Sequence, residues 1–282
     1  MIQCENVYKS FGDRTVLSGI HFSISKGKIF GLLGPSGAGK TTLIKILTGQ
    51  LSFEKGKASV LNNSVQNLTD EEKKNIGIMM DQFGVYDRLS CTDNLKIFAD
   101  IYSVAHNVIQ STLEMVGLKN AMNMKAMDLS KGMRTRLQLA RAFLHSPSII
   151  FLDEPTAGLD PLTMKSIHKM ILDKKESGCT IFLTTHNMEE AAALCDTVAL
   201  LNEGVIVEIG SPKEMCRKYN HHKTIKLHLI SGEDMELMHG KESADEIYQL
   251  LKSECIETIH SSEPNLETVF LELTGRKLQG DV

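Results

Sequence analysis

The sequence predicts an α/β fold. Two short apolar runs that end in ligand-binding chemistry carry this reading, together with a helical stretch lying between them. Ile29, Phe30, Leu32 and Leu33 form the first run, of the kind a strand buried on both faces requires. The turn Gly34-Pro35-Ser36-Gly37-Ala38-Gly39-Lys40-Thr41 follows at once, and Leu43, Ile44, Ile46 and Leu47 then recur at helical spacing up to a stop at Gly49. The spacing is G-x4-G-K-T, in which glycines let backbone N–H groups wrap phosphates, the lysine neutralises charge and the threonine hydroxyl holds magnesium. The helix N-terminus behind the turn adds a positive dipole end. A glycine-rich turn alone reads equally as a solvated loop; a strand before it and a helix after it point to nucleotide binding.

The second run is Ser148-Ile149-Ile150-Phe151-Leu152, closed by Asp153-Glu154. A carboxylate at the carboxyl end of a central strand faces the ligand crevice. There Asp153 orients magnesium through water, and Glu154, one residue on, polarises an attacking water as general base.

Composition sets the frame. The chain has 282 residues, 42% of them hydrophobic and 23% charged, which is ordinary globular usage and leaves room for one large domain and a small second one. Apolar runs all fall short of the ~18 residues of a spanning helix, and the first ten residues lack a signal-peptide core, so the chain is expected in the cytoplasm. The net charge of −4 argues against a dedicated nucleic-acid binder. Residues 1–220 carry 25 basic and 23 acidic side chains and residues 221–282 carry 6 and 12, which places a domain boundary near His221. Six cysteines show neither C-x-x-C pairing nor zinc spacing, and His221-His222 reads as a polar linker.

In chain order, Ile2 to Val7 and Val16 to Ile24 read as antiparallel strands joined at Gly12-Asp13. Phe11 beside that turn reads by itself as core, although its flat ring suits stacking on a base. Ala58 to Val65 reads as one strand, and Thr69-Asp70-Glu71-Glu72 as a helix start. Ile76, Ile78 and Met80 lead into Gln82, placed to reach magnesium or the attacking water. From about Phe83 to His145 the signals are helical: Asn94 to Tyr102, Val108 to Val116, and a helix capped by Ser130 with Met133, Leu137, Ala140 and Leu144 on one face. Leu162 to Glu176 is the next helix, and Thr180 to Thr185 a buried strand that delivers His186 to the same sheet edge, where an imidazole would bond the γ-phosphate and Glu154. A hairpin turns at Asn202-Glu203-Gly204. The tail offers a half-buried strand at Ile225, Leu227 and Leu229, a helix over Asp245 to Leu251, and a stripe of Leu266, Val269, Phe270 and Leu273 ending at Gly275.

This set resembles the ATP-binding subunit of an ABC transporter over nearly all of residues 1–220, with the family motifs in order. Phe11 matches the adenine-stacking aromatic, Gly34 to Thr42 the Walker A loop, Gln82 the Q-loop, Ser148 to Glu154 the Walker B strand, Ala157-Gly158-Leu159-Asp160 the D-loop, and His186 the switch histidine. The signature departs from the usual L-S-G-G-Q: Leu129-Ser130-Lys131-Gly132-Met133 stands there, similar to drug-exporter and antimicrobial-peptide-resistance subunits. Ser130 and the Gly132 N–H still offer donors to a γ-phosphate, and Lys131 either adds a cation there or points to solvent.

The resemblance implies an ABC-ATPase fold with an antiparallel β subdomain, a helical insertion over about 83–145 and a small C-terminal α/β appendage at 221–282. It further implies ATP and Mg2+ as ligands, and Thr41, Gln82 and Asp153 around the metal. Partners are implied too: a homodimer, or a pair with a similar ATPase subunit, sandwiching two ATPs, and an integral membrane permease. The permease would dock at a groove from Gln82 through Phe83, Tyr86 and Leu89 and hold the chain on the inner face of the membrane. The alternative is a soluble ABC-type ATPase uncoupled from transport, which would need a second cassette or a long coiled coil; the sequence has neither.

Overall fold

The computed structural model describes residues 1–80, 84–220, 224–238, 240–262 and 264–275. The chain opens with strands β1 (Ile2–Phe11), β2 (Arg14–Ile24) and β3 (Ile29–Leu33), then helix α1 (Lys40–Leu47), β4 (Lys55–Val60), β5 (Asn63–Ser64), α2 (Asp70–Lys73) and β6 (Ile76–Met79). Three helices follow, α3 (Cys91–Tyr102), α4 (Asn107–Met115) and α5 (Lys131–Phe143), before β7 (Ile149–Asp153), α6 (Pro161–Glu176), β8 (Thr180–Thr185) and α7 (Met188–Leu194). The hairpin β9 (Thr197–Asn202) and β10 (Val205–Gly210) leads to α8 (Pro212–Lys218), then β11 (Thr224–Leu229), β12 (Asp234–Met238), α9 (Lys241–Lys252), β13 (Ile256–Ser262) and α10 (Leu266–Thr274).

The central sheet has the order β10-β9-β3-β8-β7-β6, parallel except for β10 at its edge. Every residue of β3, β7 and β8 is buried, as apolar strands covered on both faces must be. One face packs against α1 and the antiparallel sheet β2-β1-β4-β5. Phe30 stacks on Phe22 at 4.9 Å between ring centres, and Phe182 meets Phe30 and Phe151 at 5.5 Å each. The other face is covered by α5 through Leu139 and Phe143, α6 through Ile167 and Ile171, and α7. Helices α3, α4 and α5 bury their own cluster around Leu95, Leu113, Leu137 and Leu144, which makes the expected helical insertion.

Two expectations need correction. Ala58 to Val65 is not one strand but the hairpin β4–β5: Leu61 and Asn62 both take left-handed backbone, with φ of +57° and +67°, the two-residue turn that matches strand twist. Phe11 is not core; it stands 51% exposed at a hairpin end, with the Lys9 ammonium 5.1 Å from its ring centre.

In the tail, β11 is the centre of an antiparallel sheet β12-β11-β13, two of whose strands the sequence reading missed. Helix α10 parts company with that sheet. Leu266, Val269 and Phe270 are buried in the same cluster as Met188 of α7 and Met215 of α8, so packing assigns the last helix to the larger body.

Candidate active site

The carboxyl ends of β3, β7 and β8 lie side by side, and the turns leaving them form a crevice at one edge of the sheet. From β3 the chain runs through Gly34, Pro35, Ser36, Gly37 and Ala38 to Gly39, which caps α1. Gly34 and Gly39 are there for close approach: a Cβ at Gly34 would meet the Leu201 carbonyl at 2.4 Å, and one at Gly39, whose φ is +110°, would meet Leu17 at 2.7 Å. Gly37, with φ of +81°, opens onto free space. The first turn of α1 holds no acidic residue, leaving its backbone donors open to an anion.

Lys40 is only 8% exposed, and its ammonium donates to the carbonyls of Gly34 at 2.6 Å and Pro35 at 3.2 Å while lying 3.3 Å from Glu154 Oε1. Thr41 Oγ1 donates to Asp153 Oδ2 at 2.8 Å, and Thr184 Oγ1 donates to Asp153 Oδ1, so both carboxylate oxygens of Asp153 are fixed from neighbouring elements. Glu154 takes left-handed backbone, with φ of +51°, an arrangement that costs about 1–3 kcal/mol and is held by its N–H donating to the Thr184 carbonyl at 3.0 Å. Its Oε2 lies 2.6 Å from His186 Nδ1. Lys40 and His186 thus meet on the Glu154 carboxylate, one residue after Asp153. The cavity lined by Lys40, Asp153 and Glu154 holds about 530 Å³, with Ser36, Gly37, Thr41 and Thr42 on its wall and Arg14 and Lys45 as further cations; His186 reaches Glu154 from outside that lining. A second cavity of about 880 Å³ lies beyond the His186 turn, but no residue of the glycine-rich loop lines it.

Ser130 caps α5, its hydroxyl accepting from the Met133 N–H at 3.3 Å. Ser130, Lys131 and Gly132 share a shallow depression with Gly158, Leu159 and Asp160, apart from the phosphate loop of their own chain. Lys131 makes no ion pair among the described residues, and its ammonium rests over Gly158, where an added Cβ would come within 2.3 Å of it. Asp160 caps α6 by accepting from Leu162 and Thr163 N–H groups, and a hydrogen bond from the Thr163 side chain, followed by these backbone bonds, holds its carboxyl below the usual carboxylate range. Gln82 and Phe83 lie outside the described residues. Of the docking groove expected beside them, Tyr86 is exposed and Leu89 half-buried.

Sequence reading passed over two features. Thr184 looks like part of an apolar strand, and only its place one residue before the strand end marks it as able to reach Asp153. Arg141, a charged residue on an amphipathic helix, is half-buried, donating to the Ile78 carbonyl at 2.8 Å and lying 5.1 Å from the Phe98 ring; burial lowers its pKa. It ties the helical insertion to the sheet.

A buried lysine and a capped, acid-free helix end around a glycine-rich loop, facing a carboxylate pair at the strand ends, define a nucleoside triphosphatase of the P-loop class. The chain belongs to the ABC transporter family, whose model matches residues 17–157, and it is an ATP-hydrolysing, ATP-binding subunit. It is 38% identical to a fluoroquinolones export ATP-binding protein of Mycobacterium tuberculosis over 92% of this chain and 88% of that one. It is 31% identical to a linearmycin resistance ATP-binding protein of Bacillus subtilis over 99% and 100%. Among solved structures, a dimeric ATP-binding cassette in a post-hydrolysis state with ADP and Pi is similar with a TM-score of 0.68 at 26% identity, over 75% of this chain and 98% of that one. An ATP-binding subunit of an ABC transporter, 23% identical, shares the fold with a TM-score of 0.71 over 78% and 93%.

Proposed function

We propose that this subunit powers export of a drug, lipid or antimicrobial peptide through a separate permease, by pairing with a second copy or a similar ATPase subunit around two ATP molecules. The 2.6 Å approach of His186 to Glu154 beside Lys40 carries the reading. The phosphate loop from Gly34 to Thr42 and the Lys40 ammonium grip the β- and γ-phosphates, and Phe11, exposed at its hairpin end, is free to stack on adenine. Glu154 accepts a proton from the water that attacks the γ-phosphorus, and His186 orients that carboxylate and contacts the γ-phosphate. Bond cleavage leaves ADP and inorganic phosphate.

Mg2+ fits the donors. No group of three or more His, Cys, Asp or Glu among the described residues forms a metal cage, and the Thr41 hydroxyl beside Asp153 is the sparse oxygen set that magnesium accepts when phosphates complete its shell. Thr41, Asp153 and, outside the described residues, Gln82 would hold it. When bound it neutralises charge on the phosphate oxygens.

Because Ser130 and Gly132 lie apart from their own phosphate loop, they serve the γ-phosphate of a partner, and ATP joins the two chains. Hydrolysis removes that bridge, and the opening of the pair is the motion passed to the permease. The relatives' names, two of them for export or resistance, support the direction of transport. No helix among the described residues is long and apolar enough to cross a membrane, consistent with a peripheral subunit on the cytoplasmic face held by its permease. The sheet of 224–262 reads as an accessory domain. Co-purification from membranes tests the assignment: a membrane-embedded permease is expected with the chain, and recovery of the ATPase alone from gently solubilised membranes would contradict it.

A further inference from the structure

Glu190 is the third residue of α7, and its side chain is wholly buried. Asn187-Met188-Glu189-Glu190 has the pattern of a helix start in which the glutamate turns back to the N–H of the capping residue. Here it does not. The Asn187 N–H donates to Thr185 Oγ1 at 3.0 Å, which leaves the Glu190 carboxylate to point inward. Its Oε1 accepts from Thr156 Oγ1 at 2.6 Å and lies 3.1 Å from His168 Nε2. Its Oε2 is buried without a hydrogen-bond partner.

The three segments joined this way are those that carry the chemistry. Thr156 is 4% exposed and stands two residues after Glu154. Asn187, whose Oδ1 caps the Glu190 N–H at 3.0 Å, directly follows His186. His168 lies on α6, the helix that Asp160 caps. Burying a carboxylate in such a site gains the fold nothing that a leucine would not, because desolvation offsets what the partners return. A directional tie is what it does supply.

We propose that Glu190 is a positioning residue for hydrolysis, clamping the loop after Glu154 to the turn of His186 so that the two side chains meet at hydrogen-bonding distance. The tie sits behind both loops, and neither Thr156 nor Glu190 lines the phosphate-loop cavity. It rests on the assignment of Glu154 as the base, and the experiment separates the two. Turnover, ATP KM and thermal midpoint are measured on the full chain for Thr156→Val, Glu190→Leu, Glu190→Gln and Glu154→Gln. Loss of the tie is expected to lower kcat about tenfold or more in Thr156→Val and Glu190→Leu, since small misplacements of reacting groups are that costly. KM and thermal midpoint should hold, and Glu190→Gln, which keeps an acceptor oxygen in place, should recover most of the rate. The proposal is overturned if kcat stays within about twofold in those variants, if the loss follows a falling midpoint, or if Glu190→Gln fails to rescue. Should Glu190→Leu not fold, Thr156→Val decides alone. A Glu154→Gln chain that turns over normally would instead remove the base assignment.

Discussion

His186 Nδ1 lies 2.6 Å from Glu154 Oε2, while Lys40 Nζ lies 3.3 Å from the other oxygen of the same carboxylate. Glu154 is therefore held from both sides at the mouth of the phosphate loop, and removing its charge leaves the loop itself intact. Glu154→Gln is expected to retain ATP binding and to lose turnover by about a hundredfold or more, as loss of a general base does. Steady-state hydrolysis beside a nucleotide-binding titration checks it; turnover within a few-fold of wild type would remove Glu154 from its role.

Lys131 occupies a position where the family pattern has glycine, and its ammonium rests over Gly158 without an ion pair among the described residues. Lys131→Gly should therefore be mild, with ATP-driven pairing within about threefold of wild type, the scale of a solvent-screened charge. Measured pairing that disappears would show that the lysine is needed at the γ-phosphate.

Gly34 has no room for a side chain, because a Cβ would meet the Leu201 carbonyl at 2.4 Å. Gly34→Ala is expected to destabilise the fold by about 1–3 kcal/mol, the usual scale of overpacking, and to weaken nucleotide binding as the loop shifts. A urea titration with and without ATP reads both effects.

Phe270 is 1% exposed against the helical face of the central sheet. Phe270→Ala should cost about 3–5 kcal/mol, as large-to-small changes in a packed core do. An unchanged unfolding midpoint would mean that α10 is dispensable to the ATPase body.

His145 stacks on Tyr102 at 3.9 Å between ring centres, and burial lowers its pKa, with its contact to the Ile76 carbonyl acting against that shift. Its unfolded form takes up a proton more readily than the folded one. Stability tied to this group is thus present above the ordinary histidine pKa, about 6.5, and is lost as pH falls through that value towards the depressed folded one. Thermal midpoints between about pH 7.5 and 5.5 should fall more steeply for wild type than for His145→Phe, which keeps the stack and cannot titrate.

The parts of this fold legible in the sequence are those in which local pattern and burial agree. Leu32 and Leu33 before Gly34, the run from Ile149 to Asp153, and the Ser130 cap each state their structure within a few residues. The hairpin at Leu61-Asn62 was hidden because neither residue is glycine. Strands β12 and β13 carry Met235, Leu237 and Ile256 on a half-buried face, too weak an alternation to stand out. The stripe of α10 shows that it is buried, but not that its destination is α7 and α8 rather than the neighbouring sheet. Glu190 and His168 lie 22 residues apart, and only the fold brings them together.

The mass of the Glu154→Gln chain in solution, measured by light scattering with and without Mg-ATP, tests most directly whether the nucleotide itself holds two subunits together. A shift from monomer to dimer on adding ATP, reversed by Ser130→Phe at the capped helix, is the predicted result. A chain that binds ATP tightly through Lys40 yet stays monomeric, while its wild-type monomer hydrolyses ATP at full rate, would contradict it.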